Sequence, residues 1–394
     1  MSIYLDHAAT TPMRREVLDA MLPLLTETYG NPSSPHAAGR RARAALDGAH
    51  ERVARCLNAE PREIVFTSGG TEASNLAIKG AAWAGKAMGN HIVTSAVEHH
   101  AVLHTVKYLE KFGFTATILP VDRYGRVDPD QLAAALTDKT ILVTIMLANN
   151  EVGTVQPIEE ICRRVRQYKG IVLHVDAVQG APYVDIDVRT LGVDLLSMGA
   201  HKFEGPKGSG VLYIRHGTTI LAQQQGGSQE RYRRAGTENL AGAVGTATAY
   251  ELCCRERPET VMRLGHYRGR LAEAVLAVPD VELTGHPQDR LPGLLSVIAR
   301  GADGETVALA LDLEGICCST GSACTTGSSE PSHVLSAMGF PAEEARGAVR
   351  ISLGRTTTEA EVARAAEVVP EVIERMRVGS AALTADPLAQ GVAS

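Results

Sequence analysis

Short β-rich runs alternate with helix-like segments through the first half of the chain: Ile64 to Thr67, His91 to Thr94, Ala116 to Pro120, Thr140 to Leu147, Ile171 to Asp176, Asp194 to Met198 and Val211 to Ile214. Parallel strands cannot be joined by tight turns and need crossover connections. The alternation therefore predicts an α/β fold, a mostly parallel sheet flanked on both faces by helices. Sheets of this kind bind ligands beyond the carboxyl ends of their strands. The chemistry-bearing residues fall there: Ser68-Gly69-Gly70-Thr71, Glu98-His99-His100, Asn149-Asn150, Asp176 and His201-Lys202.

Asp176 and Lys202 are the most telling of these. Asp176 closes the apolar run Ile171-Val172-Leu173-His174-Val175, and a carboxylate there is costly without a cationic partner. Lys202 follows the next strand, Ser197-Met198-Gly199-Ala200-His201. An acid that keeps a pyridine nitrogen protonated and an amine that anchors an aldehyde are what pyridoxal 5'-phosphate requires. Upstream, Phe66-Thr67-Ser68-Gly69-Gly70-Thr71-Glu72 leads from a strand into a helical pattern. Free amides at such a helix start suit the cofactor phosphate. The rival reading is an ordinary N-cap with Thr71 as the capping residue and Glu72 in the first turn. Gly205-Pro206-Lys207-Gly208-Ser209-Gly210 matches no nucleotide-binding fingerprint and reads as a turn.

The 394 residues, 44% of them hydrophobic, can bury a core divided between two domains. The charged segment Arg255-Glu256-Arg257-Pro258-Glu259 reads as the boundary. It separates a large cofactor-binding domain (15–260) from a smaller α/β domain formed by 1–14 and 261–394. The last residues, rich in Ala, Gly and Ser, read as a frayed tail. Acids and bases, 45 and 39, are interspersed at a net charge of −6, which leaves no basic footprint for nucleic acid and makes a small-molecule substrate the default. Seven cysteines without a Cys-x-x-Cys pair match neither a zinc site nor a disulfide framework, so a reducing cytoplasm is expected. No apolar run approaches the ~20 residues that span a bilayer.

With these residues assembled, the chain resembles aminotransferase-fold enzymes, specifically cysteine desulfurases of the NifS/IscS type. The likeness runs through Tyr4-Leu5-Asp6-His7-Ala8-Ala9-Thr10-Thr11, Tyr29-Gly30-Asn31-Pro32-Ser33-Ser34, Thr67 to Glu72, Glu98-His99-His100, Asn149-Asn150-Glu151, His174-Val175-Asp176 with Gln179, His201-Lys202, Arg234-Ala235-Gly236-Thr237, Gly321-Ser322-Ala323-Cys324 and Val349-Arg350-Ile351-Ser352. The resemblance implies that Lys202 anchors the cofactor, His99 stacks on its ring, Asp176 pairs with the ring nitrogen and Gln179 reaches the ring hydroxyl. It also implies that Asn150 contacts the cofactor and that Gly70, Thr71 and His201 hold the phosphate. Thr237 would complete that site from the other subunit of a homodimer. Arg350 would clamp the substrate carboxylate, assisted by Asn31. Read as isolated residues, His99 is more often a core histidine, Asp176 a helix cap and Arg350 a surface residue; His100 and His104 are left to that plain reading.

Cofactor and lysine alone fit transamination, decarboxylation or elimination. The reaction is set by Cys324, which lies in the small polar segment Cys318 to Ser329, the composition of a mobile loop. L-cysteine would lose its sulfur to the Cys324 thiolate, giving alanine and a persulfide, with His99 as a proton shuttle working both ways near its ordinary pKa of ~6.5. The persulfide would pass to acceptor proteins, an iron–sulfur scaffold or a tRNA-thiolation sulfurtransferase. No resident metal is expected; Cys324 is at most a transient iron–sulfur ligand. The stretch through Glu330 to Leu335 resembles the longer form of this loop. Gly199 stands where many relatives have a serine, so one phosphate hydroxyl is missing. The vicinal thiols Cys317-Cys318 read either as resolving the persulfide or, preferred, as packing residues, and Cys253-Cys254 as structural. The alternatives are another enzyme of the fold, an aminotransferase or a selenocysteine lyase-like variant, and a non-catalytic scaffold.

Overall fold

The structure is a computed structural model that describes residues 2–320 and 331–384, with side chains as far as Arg377. It opens with β1 (Ile3–Tyr4). The central sheet holds β2 (Ile64–Thr67), β3 (His91–Ser95), β4 (Thr115–Leu119), β5 (Thr140–Met146), β6 (Val172–Asp176), β7 (Leu195–Gly199) and β8 (Gly210–Ile214), in the order β2-β8-β7-β6-β5-β3-β4. Only β8 runs against its neighbours; the other pairings are parallel. Each expected β-rich run is present, its ends displaced by no more than one residue.

The central strands are buried on both faces, which is why they read as continuous apolar runs rather than as alternations. Leu142 packs with the helix Gly70–Gly85 on one side, while Val143 faces the core shared with the helices Ala37–Leu57 and Leu240–Leu276. His174 interrupts β6 yet is fully buried. Its Nδ1 meets Thr144 Oγ1 and its Nε2 meets Ser197 Oγ, each at 2.8 Å, so both ring nitrogens are satisfied across three strands. Burial drives its pKa down to about 3 and keeps it neutral.

A second, antiparallel sheet contains β9 (Val281–Leu283) and β10 (Leu294–Ala299), while β11 (Ile316–Cys317) pairs in parallel with β1; β12 (Ala348–Ser352) completes the order β12-β10-β9. Leu5, Leu264, Leu271, Val297, Ile351 and Ile373 share its core.

Arg255 to Glu259, read as the domain boundary, lies inside the continuous helix Leu240–Leu276, which carries Cys253 and Cys254 against one core and Leu264 and Leu271 into the other. Its charges are absorbed by pairing. Arg257, 6% exposed, meets Asp185 at 2.7 Å, and Glu256 meets Arg14 at 2.6 Å. Pro258 removes one backbone donor without ending the helix. Residues 333–337, expected to continue the long loop, form a helix instead, capped by the Ser332 side chain and pinned by buried Val334 and Leu335.

Candidate active site

A cavity of about 350 Å³ opens at the carboxyl ends of the parallel strands. It is lined by Ala8, Ala9, Gly70, Thr71, His99, Met146, Ala148, Asn150, Asp176, Gln179, His201, Lys202 and Arg350, among others. Residues from both sheets and from the N-terminal segment thus converge on one space, within the size range of small-ligand sites.

Asp176 ends β6 at its floor. Its Oδ1 accepts from the Val178 N–H at 3.0 Å and its Oδ2 from the Ser74 hydroxyl at 3.4 Å. Burial nevertheless pushes its pKa up to about 6, against the opposing pull of those donors and of Lys202. The carboxylate is therefore costly as it stands and favours a cation in the cavity. Gln179, three residues on, is buried and its Oε1 has no hydrogen-bond partner among the described residues. An unpaired buried amide oxygen facing a cavity marks a place for a ligand's polar group.

Lys202 sits in a single 3₁₀ turn after β7. Its Nζ donates to the carbonyls of Ala8 and, at 2.9 Å, of Ala9. The N-terminal segment thereby holds the amine at the cavity wall. His201 beside it is drawn to Thr10, Nδ1 to Oγ1 at 3.2 Å, and burial lowers its pKa to about 4, helped by Lys202 and Lys207.

The helix Gly70–Gly85 starts at the cavity with no side-chain cap; its N-cap is Gly69, at φ 152°. The capping role considered for Thr71 is therefore absent, because Thr71 lies one residue inside the helix. Glu72 turns outward instead, accepting from the Ser68 N–H at 2.7 Å and pairing with Arg234 at 2.8 Å. Close packing also requires glycine at 70, where a Cβ would lie 2.5 Å from Val178 Cγ2.

His99 caps the helix His100–Glu110, its Nδ1 accepting from the Ala101 N–H at 3.1 Å. That bond assigns the ring proton to Nε2. Burial, then Lys202, His100 and His104, push its pKa down to about 4. The ring thus sits well below the ordinary pKa of ~6.5 taken from the sequence, with its N–H at Nε2. The preceding residue, Glu98, is fully buried, and burial pushes its pKa up to about 8 against the pull of the Ser95 hydroxyl and the Met146 N–H. His100 stacks on His104, ring centres 4.7 Å apart, neither lining the cavity.

Arg350, which in isolation read as a surface residue, is on β12 and only 2% exposed. Its Nη1 donates to the Asn150 carbonyl and its Nη2 to Asp6 Oδ1, each at 2.9 Å, while Nε has no partner among the described residues. The motif containing Asp6 was visible in the sequence, but its role as the counter-charge of Arg350 was not. Ser74, which donates to Asp176, was not singled out in the sequence at all.

Two expected residues do not reach this cavity within the protomer. Asn31 is exposed, its Oδ1 accepting from the Ser33 N–H at 2.8 Å. Thr237 is also exposed and lines a separate pocket with Ser68 and Arg234. Cys324 lies outside the described residues.

The family model for class-V aminotransferases matches residues 3–365. A cysteine desulfurase IscS of Methanosarcina thermophila is 50% identical over 376 residues, 95% of this chain and 93% of that protein. A cysteine desulfurase of Trichormus azollae is 47% identical over 376 residues, 95% and 94% of the two chains. Among solved structures, a NifS-like protein superposes with a TM-score of 0.90 at 38% identity, covering 95% of this chain and 100% of that one. SspA in complex with cysteine superposes with a TM-score of 0.80 at 35% identity, covering 89% and 99%. The chain belongs to the class-V aminotransferase family, within its cysteine desulfurase branch.

Proposed function

We infer that the protein is a pyridoxal 5'-phosphate-dependent cysteine desulfurase that converts L-cysteine to L-alanine and carries the sulfur away as a persulfide on Cys324. The observation that carries this reading is the convergence of Asp176, Lys202 and Arg350 on one cavity. The residues fit the cofactor. The uncapped helix start at Gly70 and Thr71 suits a phosphate, Asp176 a pyridinium, and the unpaired Gln179 amide a ring hydroxyl.

When bound, the cofactor supplies an electron sink conjugated with the amino acid's α-carbon. Lys202 would anchor it, and its Nζ would serve as the base for the α-proton. The Ala8 and Ala9 carbonyls keep that nitrogen in place. Arg350, turned by Asp6 and the Asn150 carbonyl, holds the substrate carboxylate. His99 packs as a neutral ring and donates from Nε2. The Cys324 thiolate then attacks the substrate sulfur: an S–S bond forms as the C–S bond breaks, and the electron pair passes to the carbon, which is protonated to alanine. Thr237 is proposed to serve the partner's phosphate site in a homodimer, and acceptor proteins of iron–sulfur assembly or tRNA thiolation to collect the sulfur. A cytoplasmic setting is proposed; among the described residues no helix is long and apolar enough to cross a membrane.

Cys324→Ala tests the assignment. It abolishes alanine formation from cysteine while leaving the cofactor spectrum intact; turnover at the wild-type rate would sink the mechanism. Gly199→Ser tests the phosphate site. A Cβ at 199 would meet Val178 Cγ1 at 3.4 Å and the Gly70 nitrogen at 3.5 Å, ordinary contacts, at an unstrained φ of −121°. The serine therefore fits, and its added hydroxyl tightens cofactor binding roughly tenfold by fluorescence titration, the worth of one charge-assisted hydrogen bond. Unchanged affinity would place the phosphate elsewhere.

A further inference from the structure

Lys202 follows β7 of the central sheet and Arg350 lies on β12 of the second, yet a ligand held by both requires a fixed distance between amine and guanidinium. Glu204 joins the elements that carry them. It follows Lys202 by two positions, is buried, and holds a left-handed φ of 62°. That conformation is unfavourable for a side chain other than glycine and persists only where the surroundings fix it. Here the Glu204 N–H donates to Thr11 Oγ1 at 2.9 Å, and the Glu204 carbonyl accepts from the Arg14 N–H at 3.1 Å. Its carboxylate Oε2 accepts from Arg355 Nε at 2.7 Å and lies 3.6 Å from Arg14 Nε. Glu256 closes the cluster, 2.6 Å from Arg14 Nη2 and 4.0 Å from Arg355 Nε.

We propose that Glu204 is a positioning residue: by clasping Arg355, just beyond β12, it fixes the turn of Lys202 against the strand of Arg350 and so sets the distance across which an amino acid is held by both. The proposal rests on the functional reading above and deepens it. Glu204 does not line the main cavity and acts through its neighbours. Those neighbours are close, since Lys202, Arg14, Glu204 and Arg355 all border one small space of about 40 Å³.

A second route between the two groups leads back to the same residue. The N-terminal segment holds Arg350 through Asp6 and Lys202 through the carbonyls of Ala8 and Ala9. That segment is in turn pinned to Glu204 at Thr11 and Arg14. Loosening the clasp leaves the charges of Lys202 and Arg350 intact and disturbs only their relative placement. Misplacement by ~1 Å is enough to cost on the order of 10² in rate. It weakens ligands that engage both groups and spares those that engage one.

The test titrates the holoenzyme with L-alanine, which carries the carboxylate, and with L-alaninamide, which lacks that charge, following the cofactor's visible absorbance. Glu204→Ala and Arg355→Met should each bind L-alanine about tenfold more weakly than wild type, the worth of one misaligned charge-assisted contact, and L-alaninamide as wild type does. The double variant should be no weaker than the weaker single one, because both changes break one link. Arg355→Lys keeps the charge and should bind L-alanine as wild type does. Arg355 is partly exposed, so its variants decide the matter even if Glu204→Ala does not fold. Equal weakening of both ligands would make the cluster merely structural and overturn the proposal, as would unchanged L-alanine binding or additive losses in the double variant. A wild type that binds L-alanine no better than its amide would sink the functional reading, and the proposal with it.

Discussion

Lys202→Ala lowers alanine formation from L-cysteine by about a thousandfold or more, because it removes both the covalent anchor and a general base, and the base alone contributes on the order of 10² to 10⁴. The visible absorbance of a lysine-bound cofactor disappears with it. Folding survives. The carbonyls of Ala8 and Ala9 are among the amine's partners, and losing those two hydrogen bonds costs about 1 to 2 kcal/mol. Circular dichroism and the melting temperature separate this outcome from collapse of the fold. If the variant kept the wild-type spectrum, Lys202 would not be the anchor.

The parts of this site that were legible in the sequence are those tied to strand ends. Asp176 and Lys202 stand out because a buried parallel strand is continuously apolar and stops where its chemistry begins. The helix start at Gly70 could be read as a site, but whether it was capped depended on which residue became the first helical one, a matter of a single position. What stayed hidden depends on long-range pairing. Nothing local to Asp6 says that it will meet a guanidinium carried on β12, and nothing local to Arg255-Glu256-Arg257 says that those charges are neutralised by Arg14 and Asp185. A charged stretch with a proline therefore marks a boundary in the sequence without showing that one helix runs through it. His99 shows the same limit in its electrostatics: its place was readable, but its low pKa comes from burial and three surrounding groups. The thiols of Cys253 and Cys254, adjacent in sequence, differ because the helix turns one toward a carbonyl and the other toward Arg257.

Asp176→Asn separates what the fold wants from what the reaction wants. In the cofactor-free protein the Asp176 pKa is raised from 3.8 to about 6. The folded state therefore binds this proton more tightly than the unfolded chain does. The cost of the buried charge is absent below the unfolded value, grows as pH rises between the two, and is complete above about 6. Asparagine carries no charge and can still accept from the Val178 N–H and meet the Ser74 hydroxyl. Without cofactor, the variant is consequently more stable than wild type at pH 7 to 8, by on the order of 1 to 3 kcal/mol, and the difference fades below pH 4. Denaturant melts of the two cofactor-free proteins across that range check the sign. With cofactor the order of merit reverses. The ring nitrogen has lost its anionic partner, so the rate of alanine formation falls by about 10² or more, as for other sites that lose their principal electrostatic partner. A variant no more stable than wild type at pH 8 would mean that Asp176 is solvated or already paired in the empty cavity. A variant that kept its activity would mean that the ring nitrogen does not lie against β6.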